Sequence, residues 1–157
     1  IRKFNPHIDI TFTVSPVRHL ADGAHGNQLS KSTLLLAADS IMAQRPGVCH
    51  YFPSYEIMLD QLRDYRFYAD DMLHPSSVAA DYIWHRFCQS RMSARTREYI
   101  KEYEPIRRGL AHRPSDPHSP QHRAFLEGLE LKRKELEKKY GMPDRTADCG
   151  APRRAEQ

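Results

Sequence analysis

Ile8-Asp9-Ile10-Thr11-Phe12-Thr13-Val14 alternates apolar and polar side chains with period two. The β-branched and aromatic residues at 8, 10, 12 and 14 fall on one face of an extended strand, with Asp9, Thr11 and Thr13 on the other. Ser15-Pro16 ends the pattern, because proline has no N–H to give to a ladder. Residues 19–28, HLADGAHGNQ, read as a loop with two glycines. Ser30 has the chemistry of an N-cap, and Leu29 and Leu34 stand at the spacing of a hydrophobic staple. Leu34, Leu35, Ala38, Ile41 and Met42 then give the apolar face of a helix that ends near Gln44, before Pro46-Gly47. Residues 48–52 read as a second strand, stopped by Pro53. Strand, helix and strand with short connections predict a parallel βαβ unit and an α/β fold class.

Parallel strands are normally covered on both faces inside a larger sheet. Two strands leave both edges open, and no third strand pattern follows. The first residue is Ile1 rather than Met, and it enters almost directly into the strand pattern. The chain is therefore expected to be the C-terminal part of an α/β domain whose other strands lie upstream.

Downstream, Ser76 or Ser77 can cap a helix whose face is Val78, Ala79, Tyr82, Ile83 and Phe87, with Trp84 and Cys88 beside it. Residues 93–103 form another helical stretch, closed by Pro105. Residues 112–120, HRPSDPHSP, are a proline-rich linker. Ser119 as N-cap, Pro120 at the first helical position and Gly141 past the end bracket a long helix. Its seam is expected at Phe125, Leu129, Lys132, Leu136 and Tyr140. The expected organisation is an α/β part over 1–90, a helical extension of the same domain over 91–141, and a disordered tail over 142–157.

At 157 residues, with 28% charged and 39% hydrophobic side chains, the chain has the composition of one globular domain or part of one. No apolar run is long enough to span a membrane. The net charge of +4 is uneven. Residues 1–90 carry 8 Lys/Arg against 9 Asp/Glu, residues 91–141 carry 13 against 8, and residues 142–157 carry 3 against 3. The basic excess thus lies in the helical part, where a solvated helix face explains it better than a nucleic-acid surface. Cys49, Cys88 and Cys149 form no C-x-x-C pair and no disulfide framework, which fits a reducing compartment and a cytoplasmic location. The nine histidines include no H-E-x-x-H spacing, and His112, His118 and His122 flank the proline-rich linker, so no metal or other cofactor is expected.

Chemistry concentrates in Tyr51 to Pro75, YFPSYEIMLDQLRDYRFYADDMLHP. Asp71-Met72-Leu73-His74-Pro75 places a carboxylate three residues before an imidazole. Such a carboxylate can fix the tautomer of the ring and stabilise its cationic form, while the far nitrogen acts as a base. Spacing alone also fits a surface Asp–His pair that opens a helix. Topology favours the base, because ligands of open parallel sheets bind beyond the carboxyl ends of the strands. Ser15-Pro16-Val17-Arg18-His19 and Pro53-Ser54-Tyr55-Glu56 both leave that edge, and the second runs on to Asp71 and His74. Ser15, His19, Tyr55 and Glu56 are the candidate substrate contacts there. Ser15 and Ser54 are the hydroxyls best placed by topology, but neither lies in a Gly-x-Ser-x-Gly elbow or a Gly-Asp-Ser turn. Each reads better as a turn serine beside proline. Arg63 and Arg66 sit among Asp60, Asp64, Asp70 and Asp71, where an ion-pair network propping the Asp–His loop is expected rather than base stacking on nucleic acid.

Several stretches in order resemble the GSCFA family of the SGNH/GDSL esterase-like superfamily. They are Thr13-Val14-Ser15-Pro16-Val17-Arg18-His19, Ser30-Lys31-Ser32-Thr33, Tyr51-Phe52-Pro53-Ser54-Tyr55-Glu56, Leu62-Arg63-Asp64-Tyr65-Arg66-Phe67-Tyr68 and Asp71-Met72-Leu73-His74-Pro75. The resemblance spans residues 5–90, with a looser fit at His112-Arg113-Pro114 and the final helix. It implies a partial flavodoxin-like three-layer α/β/α domain with a helical C-terminal extension. It also implies a Ser-His-Asp hydrolase site in which Asp71 and His74 are the acid and base. The Gly-Ser-Cys-Phe-Ala motif that carries the presumed serine does not occur in this sequence, which agrees with an upstream nucleophile. The expected function is the Asp–His part of a serine ester hydrolase acting on a small-molecule or carbohydrate ester. The alternative is a non-catalytic carbohydrate- or acyl-binding module on the same fold.

Overall fold

The computed structural model describes residues 1, 3–116 and 118–141. The expected tail at 142–157 and Cys149 lie outside the described residues. The chain divides into two compact units, Ile1–Arg91 and Met92–Gln157.

The first unit is built on a parallel pair, β1 (Ile10–Phe12) and β2 (Cys49–Tyr51), joined by helix α1 (Gly23–Gln44). Ile10 pairs with Cys49 and Phe12 with Tyr51. The fold is thus mixed α/β, with a small two-stranded parallel sheet among the described residues. Both strands are shorter than the alternation predicts, and at their carboxyl ends the turn at Pro53 sets the limit. Phe52 donates its N–H to Phe12 O at 2.8 Å, and the chain then turns at Pro53 into the short helix α2 (Ser54–Glu56). The next ladder acceptor, Val14 O, is taken by the Ser54 hydroxyl at 2.7 Å. A side chain thus replaces the backbone donor that the departing strand withdraws.

α1 starts seven residues before Ser30, so Ser30 is not its cap and residues 23–28 are helix rather than loop. Leu29 and Leu34 are both exposed and form no staple. Tertiary bonds extend the helix, as they routinely override local propensity. Asn27 Oδ1 accepts the His19 N–H at 2.8 Å, and Gln28 accepts the Tyr55 hydroxyl at 2.5 Å. The inward stripe is consequently Asn27, Lys31, Leu35, Ala38 and Met42, while Leu34 and Ile41 face outward.

After α2 the chain continues as a π-helical turn, Ile57–Leu62, and a 3-10 turn, Tyr65–Phe67. Helix α3 (Ser77–Arg91) follows, and the Ser76 hydroxyl accepts the Ala79 N–H at 3.3 Å at its start. Met58, Leu62 and Ala79 are buried together, with Phe67, Tyr68 and Ile83 packed against them. Ala79, Ile83, Phe87 and Cys88 form the inward face of α3, whereas Val78 and Tyr82 are exposed. Phe52 meets Phe87 edge to face at 5.1 Å, a favourable ring geometry. Phe67 and Tyr68, which pack on this core, lead into the segment that carries Asp71 and His74.

The second unit is a helical hairpin of α4 (Ala94–Leu110) and α5 (Pro120–Tyr140). Ser93 caps α4 and Ser119 caps α5, with Pro120 at the first position and Gly141 left-handed at φ 66 past the end. Pro105 does not close α4 but lies inside it. Glu104 accepts bonds from Arg107 and Arg108 across that point, and Ile106 is buried beside it. The seam of α5 is Leu126, Leu129, Arg133, Leu136 and Tyr140: Leu129, Leu136 and Tyr140 are as expected, while Leu126 and Arg133 stand in place of Phe125 and Lys132. Arg133 takes its place in the seam by pairing with Glu130 and Glu137 on its own helix. The helices run antiparallel, since Arg95 at the start of α4 donates to Tyr140 O at the end of α5 at 2.9 Å, while Glu102 in the middle of α4 binds Lys139 and Tyr140, each at 2.8 Å. Gly109 permits their close approach: a Cβ there would lie 2.7 Å from Leu129 Cδ1.

Candidate active site

Asp71 and His74 sit in a tight loop closed by backbone bonds. Ala69 donates to His74 O at 2.8 Å, Ser76 donates to Phe67 O at 2.7 Å, and Tyr68 and Pro75 form an antiparallel bridge. Inside the loop Met72 adopts φ 59, a left-handed conformation that side chains disfavour. That turn folds the Asp71 carboxylate back over the following residues. Its Oδ1 accepts the N–H groups of Leu73 at 2.8 Å and His74 at 3.0 Å, and Oδ2 lies 2.6 Å from His74 Nδ1. The N–H groups of His74 and Leu73, followed by the imidazole, hold the Asp71 carboxyl down to about 2 from its ordinary 3.8. The carboxylate is therefore ionised throughout the physiological range. The His74 side chain is 60% exposed, and Nε2 has no hydrogen-bond partner among the described residues.

The segment leaving β1 locks this loop in place. Arg18 donates its backbone N–H to Leu73 O at 3.0 Å and its Nη1 to Met72 O at 3.1 Å. Its guanidinium lies 3.9 Å from the centre of the Tyr68 ring. The segment is itself anchored by α1. Lys31 Nζ donates to Ser15 O at 2.6 Å, and burial lowers the pKa of that ammonium. Asn27 holds His19 four residues further on. The carboxyl end of β1 is thus joined to the Asp71–His74 loop.

The other predicted residues divide clearly. The Ser15 hydroxyl accepts the Val17 N–H at 3.2 Å, as a turn serine does. Ser54 is buried and bonded to Val14 O and Thr13. His19 is paired with Asp22 at 3.5 Å. Tyr55 is buried against Gln28 and the Lys31 ammonium. Glu56 receives the Tyr51 hydroxyl at 3.0 Å, and burial together with that carboxylate raises the Tyr51 phenol to about 12. Among the described residues these side chains brace the strand ends. Only the segment around Arg18 is joined to the Asp71–His74 loop.

The expected Asp–Arg network is not formed. Among the described residues its one Asp–Arg pair is Arg66 with Asp64, at 3.9 Å. Arg63 instead lines a cleft with Arg18, Met58, Asp64, Tyr65 and Tyr68. Sequence reasoning missed the supports that matter, namely Arg18, Lys31 and Asn27. Lys31 and Asn27 stand four apart on the inward stripe of α1, and a polar i, i+4 pair inside an apolar pattern was the available signal. Arg18 carried no signal of its own. Among the described residues no group of His, Cys, Asp and Glu converges as a metal site. No helix among them is long and apolar enough to cross a membrane.

Fold and site together define a mixed α/β protein with an ordered Asp–His pair joined to the carboxyl end of a parallel strand. Residues 1–87 match the model of the GSCFA family, and residues 103–144 match that of the GSCFA domain protein, C-terminal domain. The chain belongs to the GSCFA family. No curated protein and no solved structure matches it.

Proposed function

We propose that Asp71 and His74 are the acid–base part of a serine ester hydrolase site of SGNH type, acting on an O-acyl group of a small molecule or carbohydrate. The domain would be of the flavodoxin-like three-layer α/β/α kind, of which β1, α1 and β2 form one βαβ unit. The observation that carries this proposal is the 2.6 Å contact between Asp71 Oδ2 and His74 Nδ1, with Nε2 left without a protein partner among the described residues.

The chemistry follows from the tautomer. An ionised Asp71 accepts a hydrogen bond from Nδ1–H, so the lone pair of the neutral ring lies on Nε2. Nε2 takes the proton of a serine hydroxyl as its oxygen attacks the ester carbonyl. The carboxylate stabilises the imidazolium that forms, and Nε2 then returns the proton to the departing alkoxide. Ser15 and Ser54 are engaged in holding the backbone, and the hydroxyl this reading calls for is the serine of the Gly-Ser-Cys-Phe-Ala motif that the family resemblance implies.

A positioned general base contributes on the order of 10²–10⁴-fold in rate. His74→Ala in the full-length gene product should lower turnover of an acetyl ester by at least that factor, and Asp71→Asn should lower it through the wrong tautomer. Unchanged turnover in His74→Ala would overturn the assignment of His74 as the base, and no turnover by the unaltered full-length gene product would favour a non-catalytic carbohydrate-binding module.

A further inference from the structure

We propose that the cleft beside the Asp71–His74 loop is a subsite for a carboxylate on the substrate, with Arg63 as its charge partner; the proposal rests on the ester-hydrolase assignment above. The cleft holds about 190 Å³ and is lined by Arg18, Met58, Arg63, Asp64, Tyr65 and Tyr68 among others. Two of its lining residues are bonded to the catalytic loop. Arg18 lines the cleft and also binds Met72 O and Leu73 O, while Tyr68 lines it and bridges to Pro75. The cleft therefore adjoins the loop that carries His74.

Arg63 is built in an unusual way. It directly follows the π-helical turn Ile57–Leu62 and takes φ 36, ψ 0, a backbone conformation that glycine adopts far more easily. π-turns and strained non-glycine residues cluster at functional positions, because packing must hold them in place. Here Met58 and Leu62, both buried, supply that packing from within the turn. The guanidinium so placed has no hydrogen bond or ion pair among the described residues. The neighbouring arginines are engaged: Arg18 with Met72 O and the Tyr68 ring, Arg66 with Asp64 and the Phe67 ring. Arg63 thus keeps its planar fork of donors free for an anion.

Charge and size narrow the ligand. Arg18 and Arg63 make the lining cationic, since Asp64 is also paired with Arg66, and the fork of Arg63 matches the planar pair of oxygens of a carboxylate. The volume is below that of a whole small-molecule site, so it accommodates one substituent rather than an entire ligand. Tyr65 and Tyr68, with ring centroids 6.5 Å apart, add apolar surface for the sugar or acyl body attached to the carboxylate.

The test compares charged and neutral twins on the full-length gene product. Glucuronate should bind at least about tenfold tighter than glucose, as a charge-assisted pair requires. Arg63→Gln should lower that ratio toward one, Arg63→Lys should restore part of it, and His74→Ala should leave it unchanged. Equal binding of the two sugars, or a ratio unaltered by Arg63→Gln, would overturn the subsite. Glucose 6-phosphate binding more tightly than glucuronate would overturn the carboxylate assignment. Acetylated glucuronate and acetylated glucose serve as the kinetic pair. If neither is hydrolysed, the ester-hydrolase assignment fails on its own, while the glucuronate titration still decides the cleft.

Discussion

The guanidinium of Arg18 donates to the carbonyl of Met72 across 54 residues of chain, and Met72 is one of two non-glycine residues at positive φ among the described residues. The two facts belong together. A left-handed methionine costs about 1–2 kcal/mol relative to ordinary backbone, and the Arg18 bonds to Met72 O and Leu73 O offset that cost. Arg18 is therefore a positioning residue: it holds the turn that brings the Asp71 carboxylate to His74 Nδ1.

Arg18→Ala should release that turn. The expected result is a fall in kcat with little change in KM for a neutral ester, and loss of the low-field Nδ1–H proton signal of His74. Met72→Gly in the same chain should restore much of both, because glycine takes φ near 59 without strain. A double variant as impaired as Arg18→Ala alone would show that Arg18 acts in some other way.

Acid should separate Asp71 from ordinary carboxylates. Its folded value is depressed to about 2 from 3.8, so its stabilising contribution is complete above 3.8 and is lost as pH falls through about 2. A carboxyl-carbon NMR titration should place the Asp71 midpoint near the lower value, with the Leu73 and His74 amides shifting in step. A midpoint near 3.8 would mean that the loop is open in solution.

The core on which Phe67 and Tyr68 pack sets the rigidity of the loop that follows them. Met58 is 1% exposed and stands in the core cluster with Leu62 and Ala79. Met58→Ala should destabilise the protein by about 2–5 kcal/mol, measured by chemical denaturation, since it leaves a cavity in that core. A loss below about 1 kcal/mol would mean that the site does not depend on this core.

The parallel βαβ unit was legible because period two and period 3.6 are written in the apolar residues themselves. The ends of its elements were not. α1 runs back to Gly23 because Asn27 and Gln28 find partners in His19 and Tyr55, and no local pattern records a tertiary bond. Leu129, Leu136 and Tyr140 of the α5 seam were legible, but Arg133 rather than Lys132 sits in it, because pairing with Glu130 and Glu137 neutralises a side chain that a hydropathy pattern reads as exposed. At the site, Asp71 and His74 were visible from their spacing, since three residues are enough for a turn to join them. Arg18 was not, because its role depends on the left-handed backbone at Met72. The arginines expected to pair with aspartates show the same limit: neighbours in sequence did not pair, and Arg63 went to a cleft instead.

The most direct test of the Asp71–His74 assignment is the rate of labelling by a fluorophosphonate probe, measured on the full-length gene product and on its His74→Ala variant. An activated serine served by His74 predicts prompt labelling of the first and labelling slower by a factor on the order of 10² or more in the second. Equal rates in the two proteins, or no labelling of either, would contradict it.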